Sequence, residues 1–280
     1  MGPTQTKSLQ GSYYTATFID DYSSHAVIYL LKTKDQFLDA FKKYINWATT
    51  QSPNKFHILW SDRGSKYTGA KVQAFTNEKG IDHQLTMPGT PQQNRKAEQF
   101  NCTIMDKAMS MLHQAGLSNG FWEHTMSTVV HIYNHTPICS LEWKTPHEKW
   151  NPGKVPDVSY FCIFGCKAYM HVPADKHRKL DVKALPVILV GYKPNSKGYR
   201  LWDKNTCSIH LSRDVTFNKS SFPAKTAETK LTHIGAPAPS PLPLPFYPVS
   251  AGPHMPAEPP PPHTMSCHLP PLLRMKIRLT

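Results

Sequence analysis

Fifteen of the chain's 26 prolines fall between residues 222 and 280, in runs such as 237–245 and 259–262. Proline fixes φ and gives no N–H to a helix or a sheet, so a stretch this rich in it favours extended polyproline and buries too little apolar surface to order itself. The folding part of the chain is thereby confined to the residues before 222, and 222–280 is expected to be a disordered tail. A proline-recognition domain as partner of this tail is the minor alternative to plain disorder. The closing segment, residues 274–278, reads as a solvated end with phosphate contact as the alternative.

The 280 residues carry 32 Lys and Arg against 19 Asp and Glu, a formal charge of +13, with 15 His besides. Such a balance favours polyanionic partners, nucleic acid above all, over acidic small molecules. The first residues, Met1 to Lys7, hold no apolar stretch and no small-residue cleavage site, so secretion is not expected. The longest compact apolar run, residues 184–192, is too short to cross a bilayer, and no membrane partner is expected. The expected location is intracellular, nucleus or cytoplasm. Cys102, Cys139, Cys162, Cys166, Cys207 and Cys267 show no C-x-x-C spacing, which argues against a zinc ribbon, and disulfides are disfavoured in that compartment. His113, His124, His131 and His135 read as surface or packing residues rather than a metal site.

Periodicity divides the remainder. Residues 13–29 read as two strands joined at a polar turn near Asp20 and Asp21. Phe37, Leu38, Phe41, Tyr44 and Ile45 recur at helical spacing, residues 56–60 form a third strand, and a second helix over about 70–79 precedes a short strand near 83–85. After a loop bearing Pro88, Gly89 and Pro91, a long amphipathic helix places Ala97, Phe100, Ile104, Ala108, Met111 and Ala115 on one stripe. Another helix covers 117–133. Beyond Tyr160 the period shortens to strands at 166–172, 187–192, 199–202 and 208–215, which predict a small, partly open barrel. Residues 161–230 hold thirteen Lys and Arg against five acids.

Two carboxylates stand out against this frame. Asp62 falls just past the third strand, where a sheet presents side chains without burying their charge. Glu98 falls beside the apolar stripe of the long helix. Carboxylates brought together in this way can hold two divalent ions about 4 Å apart for phosphoryl transfer, since Mg²⁺ and Mn²⁺ prefer hard oxygen ligands.

The flanking residues identify the pattern. Ser61-Asp62, Gly64 and Tyr67, then Pro88, Thr90-Pro91-Gln92-Gln93-Asn94, Ala97-Glu98, Asn101 and Thr103-Ile104 resemble the integrase core of copia-type retrotransposons, a member of the ribonuclease H-like fold. Residues 17–23 and 145–150 extend the likeness. Phe164-Gly165-Cys166-Lys167-Ala168-Tyr169, Leu189-Val190-Gly191-Tyr192, Lys197-Gly198-Tyr199-Arg200 and Ser212-Arg213-Asp214-Val215 resemble the barrel of Src-homology-3 type that follows that core.

The resemblance implies an α/β fold: a ribonuclease H-like mixed sheet lacking its first strand, plus a small all-β barrel. The expected domains are a truncated integrase catalytic core at 1–150, the β-barrel at 158–218 and the Pro-rich tail at 222–280. It implies a metal-dependent polynucleotidyl transferase with Asp62 and Glu98 as catalytic residues and metal ligands, Mg²⁺ or Mn²⁺ as cofactor, and DNA, or RNA, as partner, with a homo-oligomer also expected. The family's first acid would lie upstream of Met1, and Asp20 and Asp21 read as turn caps rather than its substitute. Lys66 and Arg95 stand where the family usually has Glu and Gly, and cations there weaken metal binding. The chain is therefore expected to be catalytically inactive as written. The alternatives are a noncatalytic nucleic-acid-binding module or a decayed element remnant. Without its first strand the sheet is expected to leave an exposed strand edge.

Overall fold

A computed structural model describes residues 4–51, 56–61, 64, 67, 69–85, 91–172, 182–193, 196–225 and 273–279, the stretches 91–96 and 273–279 by their backbone alone. Residues 1–226 with 271–280 form one compact unit, and residues 227–270 are a second unit that lies outside the described residues.

The chain opens with strands β1 (Tyr14–Asp20) and β2 (Ala26–Leu31), an antiparallel pair. Asp20 ends β1 as a turn cap, its Oδ2 accepting from the Ser23 amide at 2.7 Å and the Ser23 hydroxyl at 2.6 Å. Helix α1 (Phe37–Gln51) follows, then β3 (Phe56–Ser61), α2 (Ala70–Glu78) and β4 (Asp82–Leu85), with β3 and β4 parallel. The Phe18 ring of β1 packs against the α1 rings of Phe37, Phe41 and Tyr44, with centroids 6.1, 6.2 and 4.8 Å away. All four rings are at most 1% exposed, and each burial contributes about 1.5–3 kcal/mol. The next β1 residue, Ile19, joins a second apolar cluster with helices α3 (Pro91–Ala115) and α4 (Trp122–Asn134). Alternate residues of one strand thus serve two cores, as a strand covered on both faces requires.

Asn134 closes the edge of this layer across 108 positions of sequence. Its Oδ1 accepts from the Ala26 amide at 2.9 Å, and its Nδ2 donates to the Ala26 carbonyl at 2.7 Å. One side chain therefore does for β2 what a neighbouring strand would do. Asn134→Leu should leave a buried N–H and C=O without partners and cost about 2–4 kcal/mol. Urea unfolding would read this as a lowered midpoint, with Asn134→Asp, which keeps only the acceptor, falling between.

The expected short strands are present, with one change. A five-stranded antiparallel sheet joins β5 (Lys167–His171), β6 (Ala184–Tyr192), β7 (Tyr199–Asp203), β8 (Ser208–Ser212) and β9 (Val215–Asn218) in the order β8-β7-β6-β5-β9. The single strand expected over 208–215 is two, because the chain turns at Arg213 and Asp214, where the Ser212 hydroxyl accepts from the Asp214 amide at 3.2 Å. A turn there lets β9 leave β8 and pair with β5.

A short helix, α5 (Pro146–Trp150), was not foreseen in a segment carried by resemblance alone. Its signature is nevertheless in the sequence: Thr145 and Glu148 form a reciprocal capping box, and Pro146 occupies the first turn. Hydrogen bonds from the Thr145 amide and hydroxyl hold the Glu148 carboxyl below its usual range.

The sheet of the first half has the order β2-β1-β10-β3-β4, where β10 is Leu273–Leu279. The central lane, expected to lack a strand, is occupied by the end of the Pro-rich tail. β10 runs antiparallel to β1 and parallel to β3. Neither β1 nor β3 presents an open edge at this lane, and the expected exposed edge is absent there. The rest of the tail, residues 226–272, lies outside the described residues.

Candidate active site

Glu98 stands on the second turn of α3, half-buried. The stripe beside it is buried as its spacing predicts: Ala97, Ile104 and Ala108 are 1% exposed and Ala115 is fully covered. Asp62 lies outside the described residues, so the separation of the two carboxylates is not part of the geometry. What the structure fixes is the flanks of its segment. Ser61, the last residue of β3, is buried, and its hydroxyl lies 2.8 Å from His83 Nε2 of β4. Burial holds the His83 ring below its ordinary value, the Asp82 carboxylate opposing the shift. On the other side, the Tyr67 ring is fully buried against Phe37, edge to face at 4.8 Å, and its amide donates to the Gly64 carbonyl at 2.9 Å. Tyr67 and Gly64, which carried the resemblance, thus anchor one end of the segment holding Asp62.

Asn101, one turn beyond Glu98, was part of the sequence likeness. It is 4% exposed, and its Nδ2 has no hydrogen-bond partner among the described residues. A buried amide donor costs about 1–3 kcal/mol when unsatisfied. The donor set fits a hard divalent cation in kind, being carboxylate oxygen. Among the described residues no group of three or more His, Cys, Asp or Glu is placed to hold a metal ion, Asp62 standing outside that set.

Sequence reasoning missed a cleft of about 830 Å³ running along α3 from Gln99 and Thr103 to Met111, closed by Val129 and Tyr133 of α4 and by Ile138. Its walls come from segments far apart in sequence, and its only local signal is the half-polar flank of the α3 stripe.

The histidines serve packing. His131 lies stacked on Tyr192 at 4.9 Å, its Nε2 is 2.8 Å from the Tyr160 hydroxyl, and His135 lies between His131 and His147 at 4.5 and 4.9 Å. Burial, then the charges of His135 and His147, hold His131 down to about 4. His124 stands 3.8 Å from the equally buried Glu123, yet burial and the Arg200 guanidinium hold its ring down to about 4, so the contact is not a charged pair near neutrality.

The barrel segment is basic where it meets solvent: Lys183, Lys193, Lys204, Arg213, Lys219 and Lys225 are all exposed. It packs on the first half through a shared core in which Phe164, Ile188 and Val190 meet α3 and α4. Phe121 and Trp202 are edge to face at 4.8 Å. No described helix is long and apolar enough to cross a membrane.

Residues 4–91 match the integrase core domain and residues 166–230 match the retroviral polymerase SH3-like domain. Asp62 lies inside the first match and Glu98 beyond its end. The chain is 39% identical over 219 residues, 78% of its length, to the retrovirus-related Pol polyprotein from transposon TNT 1-94 of Nicotiana tabacum, of which it spans 16%. It is 24% identical over 210 residues, 75% of its length, to the corresponding polyprotein from transposon RE1 of Arabidopsis thaliana, of which it spans 14%. Among solved structures, a chain of the simian T-cell lymphotropic virus intasome in complex with the PP2A regulatory subunit B56 gamma is 13% identical with a TM-score of 0.44, over 75% of this chain and 73% of that one. The chain thus carries an integrase core domain followed by a retroviral polymerase SH3-like domain.

Proposed function

We propose that this chain derives from a DNA-integration enzyme of the copia type, a metal-dependent polynucleotidyl transferase, and that it is catalytically silent as written. The observation that carries the ancestry is the integrase core match at residues 4–91, which encloses Asp62. In the proposed site Asp62 and Glu98 would hold Mg²⁺ or Mn²⁺, and the ions would supply activation of the attacking oxygen and stabilisation of the leaving one. Three features support the loss of activity. Lys66 and Arg95 add cations near the carboxylates in sequence, and the strand beside β1 and β3 alternates Arg274, Lys276 and Arg278 with apolar residues. Positive charge in the neighbourhood of a divalent ion opposes its binding.

The proposed division keeps an integrase core at 1–150, a barrel at 158–218 and a Pro-rich tail at 222–280, in a protein of the nucleus or cytoplasm that self-associates. A noncatalytic nucleic-acid-binding role is the second reading, favoured by the exposed cations of the barrel. A strand-transfer assay with Mn²⁺ and element-end DNA tests the first reading: no product is expected from the parent chain, and product abolished by Asp62→Asn would overturn the silence. DNA binding is expected to persist in Asp62→Asn and to fall linearly in log–log with salt, at about 0.9 per phosphate contact. Lys204→Glu with Lys219→Glu should weaken it and flatten that slope.

A further inference from the structure

β10 is the only neighbour that β1 and β3 share among the described residues. It pairs with β1 from Ala16↔Leu279 to Asp20↔Met275 and with β3 from Leu273↔Phe56 to Lys276↔Trp60. Without it the sheet parts into the β2–β1 pair and the β3–β4 pair, each with an open row of backbone donors and acceptors. Those rows belong to residues deep in the fold: Ala16, Phe18 and Leu59 are fully buried, and Ile19 is 3% exposed. With β10 in place the backbone groups of these rows are paired and shielded from water.

The tail sequence suits the lane. Leu273, Met275, Ile277 and Leu279 alternate with Arg274, Lys276 and Arg278, the period of a strand. In the observed register the apolar members stand level with core positions, Ile277 with Phe18, Leu279 with Ala16 and Met275 with Leu59. The basic members stand level with Thr17, Ile19, Ile58 and Trp60, of which Thr17 and Ile19 are themselves buried, Ile19 in the second core. Residues 227–270 separate this strand in sequence from the rest of its unit.

We infer that the central lane between β1 and β3 is a strand-acceptor site, and that its ligand is an extended segment alternating apolar and basic residues, supplied by this chain's own C-terminus. The same lane takes a peptide of that sequence in trans once the resident strand is weakened. The tests below read strand exchange alone, so they stand or fall apart from any catalytic result.

The first test uses the full chain carrying Thr17→Cys and Arg278→Cys, a pair in register. Mild oxidation should form an intramolecular link mapped by mass spectrometry, several-fold more than Thr17→Cys with Lys276→Cys. An absent link, or one formed between chains, would overturn the inference. The second uses the full chain with Ile277→Pro, which removes a ladder donor from the resident strand. A fluorescent peptide of residues 271–280 should bind this variant at least tenfold more tightly than the parent, whose lane is filled, while a scrambled peptide should bind neither. A folded variant that captures no peptide refutes the exchange, and if Ile277→Pro does not fold, the cysteine pair decides alone.

Discussion

Replacing Gly165 by alanine is expected to lower the thermal midpoint of the folded unit by roughly 10 °C. Gly165 opens the barrel at φ +80°, its amide donating to the Leu189 carbonyl at 2.8 Å, where the chain turns against the end of α3. A Cβ built there would lie 2.2 Å from the Cβ of Ala115 and 2.9 Å from its Cα, closer than real atoms approach. Two penalties combine. A left-handed conformation costs a residue with a Cβ about 1–2 kcal/mol, and overpacking a fully buried contact costs about 1–3 kcal/mol more. In a unit of this size each kcal/mol moves the midpoint by roughly 2–4 °C. The two parts separate in a double-mutant cycle. Ala115→Gly in the Gly165→Ala background removes the overlap but not the backbone strain, so it should restore part of the loss, whereas in the parent it should only destabilise. Independent behaviour of the two substitutions would show that the barrel does not seat on α3 through this contact. Gly191 repeats the device at lower cost, since a Cβ there would meet the Thr128 hydroxyl at 2.8 Å.

Gly165 also shows what a sequence can and cannot say. It was legible as part of a recurring run, but its reason is a helix end fifty residues earlier. The α3 stripe was legible because helical period is local, and so was the position of Glu98 beside it, although near its end Leu112 rather than the expected Met111 is the buried residue. Asp62 stands out through its neighbours, of which Tyr67 and Gly64 are bonded to each other and Tyr67 is buried against Phe37, while Asp62 itself lies outside the described residues. The Thr145 and Glu148 box was readable and went unread. The central strand was misjudged for a different reason: its alternation is plain in residues 273–279, but it follows a Pro-rich stretch, and nothing local records that its two partners lie some 220 and 260 residues away. Asn134 and the α3 cleft were silent on the same ground, since their partners are long-range.

Acid should unfold this protein well above the pH at which its carboxylates protonate. Three rings carry the effect. His25 is held down to about 3 by burial and then by the charges of His147 and His135; it is stacked on Trp47 and Trp150 at 5.8 and 5.2 Å, and its Nδ1 has no hydrogen-bond partner among the described residues. His124 and His131 are held down to about 4. In the unfolded chain each ring titrates near 6.5. Above that pH both states are neutral there, and the full stability is present. As pH falls below 6.5 the unfolded chain takes up protons that the folded one refuses, so stability is lost progressively until the folded values near 4 and 3 are reached. At about 1.4 kcal/mol per pKa unit, three rings held neutral two units below their unfolded value cost on the order of 8 kcal/mol at pH 4.5. Whole domains have only about 5–15 kcal/mol to lose. Asp157, held down to about 2 by hydrogen bonds from Ser159 and Lys197, belongs to a lower window and does not blur this one. Circular dichroism against pH should therefore show a cooperative loss of structure between about pH 6 and 4. His25→Phe, which keeps an aromatic ring between the two tryptophans and cannot take a proton, should move the midpoint to lower pH by several tenths of a unit. An unchanged midpoint in that variant would mean that His25 is protonated inside the fold, against the burial that the structure gives it.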